Sequence, residues 1–260
     1  MKQVLYAHFH PDERPFVDKA AEWVERAASH HAVKLTDFLD PRQCFILSSL
    51  ASREGGVALR LEGGYPDAER KRAIVAPDYR DPDDMSADIA VLAVRSGDNK
   101  YLELDHGDYM GAILGLGVKR DVIGDIHVHP DGCHCLVTSE IADFLNIHLR
   151  QVHRVHVLTD VLPLDRLVVT KPELEEMNFT VASLRLDGIA SDVWRISRTK
   201  IVEPIRAGKC RVNWKAEENP SVQLKEGDIV SMKGLGRFKV LAVEGETKKG
   251  RIRLKVGKFI

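Results

Sequence analysis

Phe16, Ala20, Trp23, Val24 and Ala27 recur at intervals of three and four residues, the spacing that makes one face of a helix apolar. Pro15 suits a first turn, whose N–H groups lack partners in any case. A helix beginning near Pro15 is therefore predicted. After Asp40-Pro41 a second apolar run spans Phe45 to Leu50. Val57 to Leu61 and Arg72 to Val75 flank Gly63-Gly64-Tyr65-Pro66, which predicts a hairpin. From Asp88 to Thr159 the pattern predicts strand (Ile89 to Val94), helix (His106 to Leu116), strand (Val122 to His129), strand (Cys135 to Thr138), helix (Glu140 to Arg150) and strand (Val155 to Leu158).

That β-α-β-β-α-β order is the ferredoxin-like arrangement, also used by RRM domains. RRM domains stack RNA bases on aromatic side chains of the sheet. The strands predicted here contain no Phe, Tyr or Trp, so a scaffold or phosphate-contacting role is expected instead. The stretches Ala76 to Asp84 and Lys171 to Asn178 read as linkers. They divide the chain into residues 1–80, an α/β segment that is mostly helical with a β-hairpin; residues 85–170, the RRM-like segment; and residues 180–260. The fold class expected is α+β, multidomain.

In the last segment Leu186, Ile189, Val193 and Trp194 lie at roughly helical spacing. Ser197 is a good N-cap for a second helix through Arg206, and Gly208 is placed to end it. Pro204 inside that helix removes an N–H and crowds the carbonyl of Lys200, so a kink or a short helix is expected. Short β-like runs follow at Cys210 to Val212, Ile229 to Met232, Phe238 to Val243 and Arg251 to Val256.

Charge is unevenly distributed along the chain. Arg185 to Ile260 holds 18 Lys+Arg against 9 Asp+Glu, while the preceding 184 residues hold 20 against 30. A net charge of −1 for the whole chain conceals this segregation, and a basic module of this size points to a polyanion, most often nucleic acid. Two helices followed by a small sheet, with basic residues around the second helix, resemble the S4 RNA-binding domain. Arg185-Leu186-Asp187, Ser197-Arg198, Gly208 to Asn213 and Gly227-Asp228-Ile229 carry the resemblance. The RNA-binding residues expected are Arg185, Arg195, Ser197, Arg198, Thr199, Lys200, Arg206, Lys209, Arg211, Lys215, Arg237, Lys248, Lys249 and Arg251. Guanidinium and ammonium groups neutralise phosphates, and helix N-terminal N–H groups accept anions. Side chains cannot read the deep, narrow major groove of double-stranded RNA, so shape and backbone should outweigh sequence.

Composition sets limits. No apolar run approaches the ~18 residues of a membrane span, no signal-peptide pattern is present, and Cys44, Cys133, Cys135 and Cys210 show no disulfide framework. A reduced cytoplasmic protein without a cofactor is expected.

The chain as a whole resembles the bacterial YlmH family of S4-domain RNA-binding proteins. The motifs are GGYPDAERKR (Gly63 to Arg72), HGDYMGAILGLGVKRDVIGDI (His106 to Ile126), SLRLD (Ser183 to Asp187), GKCRVNWK (Gly208 to Lys215), and GDIVSMKGLGRF with TKKGRIRLKV (Gly227 to Phe238, Thr247 to Val256). The resemblance implies a non-enzymatic protein that binds structured RNA (rRNA and/or tRNA) and the large ribosomal subunit, in the handling of stalled peptidyl-tRNA complexes by ribosome-associated quality control. No membrane and no DNA partner is expected. In one departure, Gly107 follows His106 where the family often has a basic residue; Lys119 and Arg120 are the nearest substitutes.

His127 and His129, with Cys133, His134 and Cys135, suggest a metal-dependent hydrolase, since imidazoles two apart on a strand share a face; His8 and His10 offer a second pair. Too little chain follows to supply the later strands and ligands of a barrel hydrolase, so no metal site is expected. Arg185-Leu186-Asp187 resembles the catalytic motif of pseudouridine synthases, yet no catalytic domain follows it, and Asp187 reads as a first-turn acid. A cell-division role through a protein partner is a further alternative. Trp194 reads as core, whereas Trp214 stays open between packing and stacking on RNA.

Overall fold

The apolar stripe around Trp23 forms helix α1 (Arg14–His30), whose Val17, Ala20, Trp23, Val24 and Ala27 are buried. His31, left-handed at φ 53°, ends it. Strand β1 (Lys34–Leu39) leads to helix α2 (Pro41–Ala51), where Asp40 accepts the N–H of Gln43 at 2.8 Å and the Gln43 side chain accepts the N–H of Asp40 at 2.9 Å. This reciprocal cap fixes the helix start. Strands β2 (Val57–Glu62) and β3 (Lys71–Pro77) form the expected hairpin, and β1 adds to it in the antiparallel order β1-β3-β2. The computed structural model describes residue 6, residues 8–96 and residues 104–260.

The next elements are β4 (Ile89–Ser96), α3 (His106–Gly115), β5 (Ile123–His129), β6 (Gly132–Thr138), α4 (Ser139–His148), the short β7 (Gln151–Val152) and β8 (Val155–Leu162). Each periodic segment read from the sequence in this region coincides with one of them to within a few residues. The sheet is antiparallel in the order β5-β6-β4-β8-β7. Tyr109 and Ile113 of α3 and Ala142 and Leu145 of α4 pack with Leu92, Val94, Cys133, Cys135 and Val137. The opposite face presents Ile89, Val91 and Leu136 to Phe38 and Ile74 of the three-stranded sheet. All seven residues of β6 are consequently buried. At Gly124 a Cβ would stand 2.8 Å from the Phe38 ring, so only glycine lets the two sheets approach this closely.

Residues Met1–Lys171 form one compact unit and Pro172–Ile260 a second. The second contains β9 (Leu174–Val181), α5 (Leu186–Trp194), α6 (Arg198–Arg206), β10 (Cys210–Val212), β11 (Lys215–Ala216), β12 (Ile229–Met232), β13 (Gly236–Glu246) and β14 (Ile252–Phe259). Its antiparallel sheet runs β11-β10-β12-β13-β14-β9. Leu186, Ile189, Val193, Ile201 and Ile205 of the helices share a core with Phe238, Val240, Leu254 and Val256 of the strands. Burying each large aliphatic side chain contributes roughly 1.5–3 kcal/mol. Strand β9 corrects the linker reading of Lys171 to Asn178. Met177, Phe179 and Val181 alternate into the core, while Glu176 meets Lys255 at 2.8 Å across the β9-β14 ladder. Helix α6 is short, nine residues, with Pro204 in its last turns.

Candidate nucleic-acid interface

The residues expected to bind RNA divide between two faces of the C-terminal unit. Arg185, Arg195, Ser197, Arg198, Thr199, Lys200 and Arg206 lie on or beside α5 and α6, and all but the half-buried Arg185 are exposed. Arg211 and Arg237 instead alternate with buried Cys210 and Phe238, so they point from the face of the sheet that the helices leave uncovered. There the Arg237 guanidinium lies 4.4 Å from the centroid of the Phe259 ring. Lys209 and Lys215 flank β10, and Lys248 and Lys249 occupy the β13-β14 turn. Arg251 is tied to β9, donating to the Thr180 hydroxyl at 3.0 Å and to the Thr180 carbonyl. A single contiguous patch of all fourteen is not formed.

On the helical face a buried carboxylate organises the charge. Asp187, 3% exposed, accepts from Arg185 Nη2 at 2.8 Å and Nε at 3.1 Å, and from Arg198 Nη2 at 2.8 Å. Burial pushes its carboxyl up, but the two guanidinium groups outweigh this and hold it down at about 2. It therefore does more than stabilise a first turn: it bridges the start of α5 to the start of α6. Ser197, at the N-cap position of α6, makes no side-chain cap bond.

The histidine cluster lies in the other unit. His127 faces His134 across β5 and β6, and the rings of His129 and His134 meet edge-on at 5.0 Å. Cys133 and Cys135 point to the opposite face, into the helix-covered core. Burial pushes both thiols up, Cys135 to about 12. His127 Nδ1 accepts the N–H of Thr170 at 3.2 Å and His134 Nδ1 accepts that of Val168 at 3.0 Å. His127 and His129 each keep a buried Nε2 without a hydrogen-bond partner, yet with the thiols on the opposite face no group of three or more metal ligands forms among the described residues. His8 lies in a turn, while His10 precedes α1 and pairs with Asp12.

Burial lowers the pKa of His127; burial and the neighbouring His129, His127 and Arg95 lower that of His134. As pH falls through about 6.5 the unfolded chain therefore takes up protons before the folded one. Full stability is expected above that pH and a loss below it. Urea midpoints between pH 7.5 and 5.5 check this, and His127→Gln with His134→Gln should flatten the dependence.

Residues 82–166 match a family described as "Putative RNA-binding domain in YlmH", and residues 12–80 match "YlmH, N-terminal". The chain is 38% identical over 250 residues to "Ribosome-associated protein quality control protein P2" of Bacillus subtilis (strain 168), with 96% of each chain covered. The chain belongs to the YlmH family. A solved YlmH structure, "Cell division protein ylmH from Streptococcus pneumoniae", aligns with TM-score 0.54 and 25% identity over 62% of this chain and 98% of that one. The family description and the name of the Bacillus subtilis relative point to RNA binding rather than catalysis.

In this YlmH chain two of the motifs that carried the family resemblance meet at Asp125. Its carboxylate accepts the Tyr65 hydroxyl at 2.8 Å and the N–H groups of Glu69 and Arg70 at 2.7 and 3.1 Å. Arg70 donates onward to the carbonyls of Ile123 and Phe38. A Cβ on Gly63 would lie 2.2 Å from that of Ala68, so the loop closes only around glycine. Arg72, 2% exposed, donates to the carbonyls of Thr36, Ala87 and Asp88. From sequence, Asp125 reads as part of the His127-His129 metal-like cluster, and Arg70 and Arg72 carry no role; the GGYPDAERKR motif is the signal that joins them. Arg120 donates to the Ile123 carbonyl, and burial lowers its pKa to about 10. It is a framework residue and no substitute for the charge absent at Gly107; Lys119 is exposed.

Proposed function

We propose that this YlmH-family chain is a non-enzymatic RNA-binding protein of the translation machinery, binding the large ribosomal subunit and/or peptidyl-tRNA in ribosome-associated quality control in the cytoplasm. Residues 172–260 act as an S4 domain and supply the principal RNA surface. The observation that carries the reading is α6, which exposes Arg198, Lys200 and Arg206 with Asp187 fixing its first turn. The relative's ribosome-associated name and the RNA-binding family description support it. Residues 85–170 act as an RRM-like scaffold, because the central strand β6 is buried throughout and the exposed positions of β8 carry no Phe, Tyr or Trp.

Co-sedimentation with purified ribosomal subunits across a salt series tests this. Neutralising about five to seven phosphates gives a log–log salt slope of roughly −4 to −6. Binding to the large subunit should weaken accordingly and be lost in a chain ending at Lys171. Equal binding by the truncated chain would move the RNA surface into the first unit, and failure of both, with and without bound peptidyl-tRNA, would overturn the reading.

A further inference from the structure

The turn joining β10 to β11 contains only Asn213 and Trp214, with Val212 paired to Lys215. Both turn residues are left-handed, at φ 50° and 64°. This is the type I′ hairpin turn, for which Asn-Gly is a favoured pair. Asparagine tolerates the conformation, while a bulky residue there is an outlier whose Cβ crowds the backbone.

The surroundings hold the turn in this shape. Asn213 donates its N–H to the Ile229 carbonyl at 2.8 Å and its side-chain amide to Asp228 at 2.9 Å. Its side-chain oxygen accepts the Ile229 N–H at 3.0 Å, and Arg211 Nη1 donates to the Trp214 carbonyl at 2.9 Å. Core packing does not repay the strain. Trp194 packs on the core and meets Phe238 edge-on at 5.1 Å; Trp214 is half-buried and belongs to none of the hydrophobic clusters among the described residues. Strain retained without a packing return marks a functional position.

Two cations flank the ring. Arg211 and Lys215 are exposed on either side of it. Of the nearby acids, Asp228 is engaged by Asn213 and by the N–H of Lys225, and Glu217 by the N–H of Asn219. We infer that Trp214 is a stacking platform for an unpaired RNA base, with Arg211 and Lys215 meeting the phosphates beside it. This rests on the RNA-binding reading above and adds to it a preference for RNA with an extruded base.

The test compares a hairpin RNA carrying one bulged adenine with the same helix fully paired, using the full chain and its Trp214→Gly, Trp214→Phe and Trp214→Leu variants. Base stacking on an aromatic ring makes binding stronger by about tenfold or more, so the unaltered chain should prefer the bulged RNA by that factor. In Trp214→Gly the preference should vanish, while affinity for the paired helix stays the same and the urea midpoint holds or rises as strain is relieved. Phenylalanine should keep much of the preference and leucine, equally strained, should lose it. A preference that survives in the glycine and leucine variants, or a glycine variant of lowered stability, overturns the inference while leaving the paired-helix binding in place. An unaltered chain that binds neither RNA overturns the parent reading and this one together.

Discussion

Asp125→Ala is expected to destabilise the N-terminal unit by about 3–5 kcal/mol, read as a fall in the urea midpoint by far-UV circular dichroism. Three donors, the Tyr65 hydroxyl and the N–H groups of Glu69 and Arg70, converge on this carboxylate. A buried donor left without an acceptor costs about 1–3 kcal/mol, and partial relaxation of the loop keeps the total below a simple sum. Burial and the neighbouring Asp125 also push the Tyr65 phenol well above its ordinary range, so the hydroxyl remains a donor at any pH where the chain is folded. Asp125→Asn keeps an acceptor oxygen and should cost about half as much. Equal losses from the two variants would mean that charge, through Arg70, matters more than the hydrogen bonds.

The second large effect concerns RNA affinity. Lys200→Ala combined with Arg206→Ala removes two exposed cations from α6 and should flatten the log–log salt slope by about two. Affinity at low salt should fall roughly tenfold or more. Arg198→Ala should change the slope by less than one, because Asp187 already offsets that charge at 2.8 Å. A slope unaltered by the double variant would place the RNA contacts on the other face, around Arg211 and Arg237, and the matching pair of alanines there would then show the loss.

Much of the architecture was legible because burial imposes a period. The three-and-four spacing around Trp23 and the runs of the middle segment located their elements. Strand β9 was hidden by Glu175 and Glu176, which read as solvated linker until β14 places Lys258 opposite Glu175 and Lys255 diagonal to Glu176. Strand β1 was missed because its Lys34 and Asp37 are exposed and its apolar residues, Leu35, Phe38 and Leu39, do not alternate.

For the site, the basic residues could be counted from sequence, but their division between faces depends on strand parity around Cys210 and Phe238. The same parity separates Cys133 and Cys135 from His134 on β6, information that was present in the sequence once β6 was placed. The bridge from Asp187 to Arg198 spans eleven residues and a change of helix, and no local pattern announces it.

Asp187 has a kinetic consequence as well as an electrostatic one. A free arginine on a helix samples many rotamers, and freezing each such side chain on association costs about 0.5–1.5 kcal/mol. Arg185 and Arg198 are already held by one carboxylate in the unbound protein, so their part of the surface is preorganised. Such a surface gains its affinity chiefly through slow release, and loosening it by Asp187→Asn would shorten the lifetime of the complex more than it slows encounter.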